Sequence, residues 1–525
     1  MSTTITQHPI IDTPKWRQAS PTITATVAGS CVCGDLRGTE DRHPLLYYLA
    51  SATLFYAYNI KNDEWIALAS PALAGTFGAG TDMIFIPHKG PSGTFTVPST
   101  TGMTLSTLIN SGNVGVNQLA NRGDGQGFKI RIMDNAAGGT GKIYERYIIG
   151  NTSGTTPIIT VDQAFDSQPI TGGTYEILSG QIYMLNSGLQ AAGSFRAYDI
   201  ATNTFASLAY ANLPATITTD SHMVNFSESY NPQAYVPGSG MIAGVTNVDT
   251  AYPKTGITAA ASSGVSITGP AASGDFNLLA NEYRNFQIRI VQDATTPTSV
   301  GQRRNITSHT AGPSVVYTVP TWTVTPSASA VYVIEGNGNN ILLSTTASAN
   351  MFNYSISGNA WDVSTTWAAR STAIGAGVCG DFPFGMARDP TGKVRHSYLF
   401  IPRGGASSAI DLLDIAGAAT GAWTNTIVYG NLNTLFTTGT TSCYNPMTQG
   451  GKYLYINVNG TQRNVRFDMI NRILEPYGYI DFPQGVAACG RRVAISGYFD
   501  GATILPFLTL QGMTLAQMFQ NVIFR

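Results

Sequence analysis

Phe55-Tyr-Ala-Tyr-Asn-Ile-Lys-Asn-Asp-Glu-Trp65-Ile-Ala-Leu68 is the stretch from which the fold can be read. An aromatic-rich segment runs into a polar turn, and a second apolar segment starts at Trp65. This is the pattern of a β-hairpin, in which alternate residues share a face and Asn or Asp reverses the chain. The unit returns as Phe195-Arg-Ala-Tyr-Asp-Ile-Ala-Thr-Asn-Thr-Phe205-Ala-Ser-Leu208 and as Met351-Phe-Asn-Tyr-Ser-Ile-Ser-Gly-Asn-Ala-Trp361-Asp-Val363. Weaker copies are Ile410-Asp-Leu-Leu-Asp-Ile415, followed by Trp423, and Val465-Arg-Phe-Asp-Met-Ile470, followed by Leu474. The spacing predicts that Tyr58, Tyr198 and Tyr354 share an equivalent face. Trp65, Phe205, Trp361 and Trp423 then pack back as an aromatic core.

Each copy follows a Gly-containing segment and a further strand, as in Val394–Pro402 and Lys452–Asn459. Two strands and a hairpin make a four-stranded antiparallel unit, and a recurring unit of that kind is expected to stack around an axis. Composition agrees. Charged residues are 11% of 525 and glycine numbers 56, which disfavours long helices and favours short strands with polar turns. The pattern resembles that of kelch-like propellers, whose outer strands carry a Tyr-Asp, turn, Trp motif. The double glycine of that family is mostly missing, Gly404-Gly405 being the nearest case. The resemblance implies an all-β, five- or six-bladed kelch-like β-propeller. Its last segment, Met518 to Arg525, is expected to close the ring beside N-terminal strand material near Trp16–Ala28.

Two stretches interrupt this pattern and match each other. Asn117–Asn121 matches Asn277–Asn281, Gly127–Asp134 matches Asn285–Gln292, and Thr174–Ile177 matches Val331–Ile334. The offset stays between 157 and 160 residues, and the flanking tyrosines Tyr198 and Tyr354 are 156 apart, so blade and insert read as duplicated together. Alternation such as FKIRI and FQIRI predicts two inserted small β-barrel or sandwich domains. The expected organisation is an N-terminal arm 1–24, blades 25–110, insert 111–178, blades 179–268, insert 269–335 and blades 336–525. Arg131, Arg146, Arg289, Arg303 and Arg304 are expected on the insert surfaces as subunit contacts.

The inserts, in Asn285–Ile306 with Val315–Ile334 and more loosely in Gly127–Ile149 with Ile158–Ile177, resemble modules of tailed-bacteriophage virion proteins. That resemblance implies a structural protein of the virion tail, of the hub or nozzle type. It would form a ring homo-oligomer, a hexamer, below the portal-adaptor, anchor tail fibres, and pass genomic DNA transiently. Assembly would take place in the host bacterial cytoplasm. A head decoration, collar or receptor-binding virion protein and a glycan-binding propeller are the alternatives.

No chemistry-bearing constellation stands against a structural role. The six histidines are scattered, without HExxH or HxH spacing. Cys31-Val-Cys33 has no second ligand pair, so no metal site is expected, nor any cofactor or catalytic residue. The five cysteines are too few and too odd for a disulfide framework and read as buried thiols. Gly139-Thr-Gly141 is not a Walker loop, and Arg122-Gly-Asp124 reads as a turn. A net charge of −1 argues against a strongly basic nucleic-acid surface and suits a conduit that must not retain DNA. The first residues lack the basic and apolar regions of a signal peptide, and no apolar run approaches a membrane span, so no membrane insertion is expected.

Overall fold

The computed structural model describes residues 15–18, 27–34, 45–59, 62–218 apart from 63, 87–88, 107, 109–112, 124 and 215, then 221–225, 254–257, 263–269, 279–362 apart from 313–314 and 346–347, 367–373, 378–380, 384–388, 394–428, 436, 440–444, 453–458, 463–479, 493–495, 507–511 and 517–522. Among them the chain is all-β, with a single 3-10 turn at Pro297–Ser299 and no α-helix.

Six sheets repeat one antiparallel up-and-down order. The first runs Cys31–Gly34, Leu45–Leu49, Phe55–Asn59 and Glu64–Ala67. The second begins at Asp82–Ile86 and resumes after the first insert with Gln181–Leu185, Phe195–Asp199 and Thr204–Ser207. The third begins at His222–Asn225 and resumes after the second insert with Asn340–Ser344, Met351–Ser355 and Ala360–Trp361. The fourth holds Phe384–Arg388, Val394–Pro402, Ala409–Asp414 and Ala422–Val428. The fifth holds Thr440–Tyr444, Tyr453–Asn457, Arg463–Asp468 and Ile473–Tyr479. In the sixth, Val493–Ile495, Phe507–Gln511 and Gln517–Val522 are joined by Lys15–Gln18, which pairs with the last strand from Lys15↔Val522 to Gln18↔Phe519. The expected N-terminal arm therefore contributes a strand to a sheet.

The first three strands of sheet one are buried throughout, while Glu64–Ala67 is half-exposed. Covered on both faces, inner strands such as LLYYL carry continuous apolar runs instead of alternation. The first strands adjoin across sheets: Thr440–Tyr444 lies by Val493–Ile495, that strand by Cys31–Gly34, then Asp82–Ile86, then His222–Asn225.

The hairpin repeat is reproduced in register. Tyr58 faces Trp65, Tyr198 faces Phe205 and Tyr354 faces Trp361. Their ring centroids are 5.0, 4.9 and 5.1 Å apart, at interplanar angles of 43°, 43° and 45°. In the weaker copies Leu413 faces Trp423 and Phe467 faces Leu474. Phe55 of sheet one meets Tyr198 of sheet two edge-on at 5.0 Å, and Phe195 meets Tyr354 of sheet three at 4.9 Å. The same aromatic thus packs within its own sheet and against the preceding one.

Two expected boundaries are corrected. The first insert is a closed six-stranded barrel that already includes Ser92–Thr96 and Gly102–Leu105, so it begins near residue 92, not 111. These two strands pair with Thr174–Ile177 and Ile158–Val161, and the barrel cannot close without them. The second insert likewise takes in Lys254–Ile257 and Ser266–Thr268, ahead of residue 269. It forms two sheets, one of four strands and one of three. Val378–Gly380 pairs in parallel with Thr440–Ser442 at the edge of the fifth sheet.

Candidate functional site: the seam between the two inserts

Two inserts of common design each present a polar loop and an arginine-bearing strand pair, and these meet. Lys129–Met133 and Ile143–Asn151 form one hairpin, with Glu145 opposite Arg131. Gln287–Gln292 and Arg303–Asn305 form its counterpart, with Arg303 opposite Arg289. At an offset of 158, Arg131 corresponds to Arg289 and Glu145 to Arg303. The charge is kept at one position and reversed at the other.

This reversal decides the pairing. Arg131, 1% exposed, is held inside its own insert by Glu145 at 2.9 Å and Glu176 at 3.2 Å. Arg289 has an arginine opposite it and takes Glu335 instead, in a two-toothed bond with both contacts at 3.0 Å. Arg303 reaches into the other insert and grips Glu176 through two bonds of 2.6 and 3.0 Å, with Glu335 at 3.7 Å. Fork-to-fork guanidinium–carboxylate contacts of this kind are the strongest side-chain pairs available. Burial alone would raise the Glu176 carboxyl, but the charge and hydrogen bonds of Arg303, with Arg131 and Arg289 nearby, hold it well below the usual range. Burial would lower Arg303, and the Glu176 charge overrides that and raises it. Lys89, half-buried beside the network, is lowered to about 8 by burial and then by the Arg303 charge, against the pull of Glu176.

The loops complete the seam. Asp134 accepts the Thr140 amide and hydroxyl, both at 2.7 Å, and fixes the first loop. Asp293 accepts from Thr296, Ser299 and Ser327 and fixes the second. Across the seam the Asp293 amide donates to the Gly141 carbonyl at 3.1 Å, and Asn135 Nδ2 donates to the Val300 carbonyl at 2.9 Å. Gly141 has φ +64°, and a Cβ there would lie 2.0 Å from the Asp293 carbonyl oxygen, so only glycine admits this approach.

The expected insert-surface arginines are therefore corrected. Arg131 and Arg289 are buried and Arg303 spans the seam. Arg146 donates to the carbonyls of Gln163 and Ala164 and lies over the Phe165 ring at 5.7 Å. Arg304 repeats this with the Thr321 carbonyl, the Thr323 hydroxyl and the Trp322 ring at 5.3 Å. Each pins a turn onto the hairpin of its own insert. A guanidinium withdrawn from water needs a local acceptor, and each of the five finds one within the chain. The glutamates that complete the network, Glu176 and Glu335, escaped the sequence reading. Their signal is a carboxylate inside a strand of otherwise apolar residues, TYEI and VYVIE.

Chemically, the arrangement can hold two modules together. The predicted aromatic core residues lie elsewhere, in the hairpins of the six-sheet array. Among the described residues no group of three His, Cys, Asp or Glu could hold a metal ion, and Cys31 and Cys33 are buried. No helix among those residues is long and apolar enough to cross a membrane.

No family model and no curated protein matches the chain. Among solved structures, a functionally unknown protein from Desulfotomaculum acetoxidans DSM 771 aligns at 10% identity over 88% of this chain and 100% of that one, with a TM-score of 0.22. A structural genomics protein of unknown function from Bacteroides thetaiotaomicron VPI-5482 aligns at 8% identity over 83% and 99%, with a TM-score of 0.19.

Proposed function

We propose that this chain is a six-bladed, kelch-like β-propeller carrying two inserted domains, and that it serves as a structural component of a bacteriophage virion. The position we assign is the tail hub or nozzle ring below the portal-adaptor. There it would line the DNA exit channel and anchor fibres, in a ring of copies of itself. One observation carries the scaffold reading: six sheets of one antiparallel order, with the first strands of the fifth, sixth, first, second and third sheets adjoining in succession and the sixth sheet completed by the N-terminal strand Lys15–Gln18. Single-chain rings close in this way. The aromatics that a glycan-binding surface would use, Tyr58, Tyr198, Tyr354 and Trp361, are instead buried between sheets. The virion assignment draws its support from the insert motifs.

The test is a density map of purified virions together with copy number by quantitative mass spectrometry. Six copies at the tail axis are expected. Absence from the virion, or hundreds of copies on the head, overturns the assignment. Glycan-array binding by the purified protein would favour the glycan-binding alternative.

A further inference from the structure

The hydrophobic cores on the two sides of the seam are separate. Phe95, Ile130, Ile132 and Tyr175 of the first insert belong to one cluster with Tyr47, Phe55 and Tyr198 of sheets one and two. Ile288, Tyr317 and Tyr332 of the second insert belong to another, with Leu399, Leu413 and Phe467 of sheets four and five. Between them lie the Glu176–Arg303 pair, the two loop hydrogen bonds, and two apolar side chains of the first insert, Ile143 resting on the second cluster and Met133 against Gly301. Opening this seam would expose polar groups and leave both cores closed.

The charges are arranged for two states. With the inserts apart, Glu176 keeps Arg131, and Arg303 keeps Glu335, already 3.7 Å away and shared with Arg289. No charge is orphaned, so the usual penalty for breaking a buried pair by removing one partner is avoided. We propose that the seam is a latch: the Glu176–Arg303 pair holds the two inserts closed, and they part as intact modules when it is lost. Such an opening would free two complementary faces, one carrying Glu176 and one carrying Arg303, on domains that stay anchored to different sheets. The latch stands whatever assembly the chain belongs to.

Hydrogen–deuterium exchange on the full chain tests this, comparing wild type with Glu176→Gln and Arg303→Gln. The seam loops 134–142 and 293–302, including the Asp293 amide, should exchange at least about tenfold faster in either variant. The insert strands Lys129–Met133, Ile143–Asn151, Gln287–Gln292 and Val331–Glu335 should exchange as in wild type. Seam loops that stay protected in both variants overturn the latch, and so does loss of protection in loops and strands together. If Glu176→Gln fails to fold, Arg303→Gln decides, because it leaves Glu176 paired with Arg131. Arg303→Lys, which keeps the charge but loses the fork, should fall between wild type and Arg303→Gln.

Discussion

The hydroxyl of Tyr198 donates to Asn203 Oδ1 at 2.9 Å, and that same oxygen accepts the backbone amide of Ala69, at the end of the preceding sheet, at 3.0 Å. One side-chain atom therefore ties a tyrosine to its own turn and its sheet to the one before. The joint recurs: Tyr354 donates to Asn359 Oδ1 at 2.7 Å, which accepts the Ala209 amide at 2.9 Å. Asn203 and Asn359 both sit at positive φ, 54° and 45°, a backbone region that asparagine tolerates better than most residues. The repeat of Tyr, turn and aromatic is thus a tertiary device as well as a hairpin.

Replacing either asparagine by alanine should remove two hydrogen bonds and place a residue poorly suited to left-handed backbone in the turn. The expected loss is about 2–3 kcal/mol for Asn203→Ala. Asn203→Gly, which relieves the backbone but not the lost bonds, should cost less. Equilibrium urea unfolding of both variants checks the order. An alanine variant as stable as wild type would show that the joint carries no weight.

The hairpins were legible because everything that makes them is local. Tyr198 and Phe205 are seven residues apart and meet directly across the strand pair. The barrel strands Ser92–Thr96 and Gly102–Leu105 were not, because SGTFT and GMTL are short and rich in Gly, Ser and Thr and, beyond their pairing with each other, their partners lie some 50–80 residues on. The arginine roles were illegible for the same reason carried further. Glu176 is 127 residues from Arg303, and nothing in the sequence near either residue names the other. An arginine flanked by isoleucines in FKIRI or FQIRI reads equally well as a surface contact or a buried pair until its carboxylate is found.

The shared cores set an expectation for removing an insert. Residues 92–177 contribute to one cluster with sheets one and two, and Asn59 of sheet one donates to the Gly123 carbonyl at 2.7 Å. Deleting 92–177 behind a short turn should strip apolar cover from Leu45, Tyr47 and Phe55 and leave Arg303 without Glu176. The deleted chain should be largely insoluble, or melt at least several degrees lower. Soluble yield and a thermal melt measure this. An unchanged melt would mean that the inserts are autonomous after all.

The sixth sheet depends on both chain ends. Without Lys15–Gln18, the strand Gln517–Val522 loses its outer partner over four register pairs. An unpaired strand edge invites pairing with another molecule. Removing residues 1–18 should therefore give concentration-dependent aggregation, seen by light scattering, whereas removing only 1–12 should not. Monodisperse protein after the longer truncation would contradict a structural role for that strand.

Lys89 supplies a pH dependence whose sign can be worked out. In the folded chain its ammonium is lowered to about 8, first by burial and then by the Arg303 charge, with Glu176 opposing. In the unfolded chain it would hold its proton to about 10.4. Between those values the unfolded state binds more protons, so this group makes stability rise with pH across roughly pH 8 to 10.4 and imposes its full cost below pH 8. Lys89→Met keeps the stem and removes the charge. It should therefore stabilise the protein at pH 7, on the order of 1–3 kcal/mol. The gain should shrink as pH rises through that window and vanish at its top. Urea titrations of wild type and variant at pH 7, 8.5 and 10 measure the difference. A gain that stays constant with pH would assign it to packing, and a loss at pH 7 would mean that the ammonium is a favourable member of the charge network.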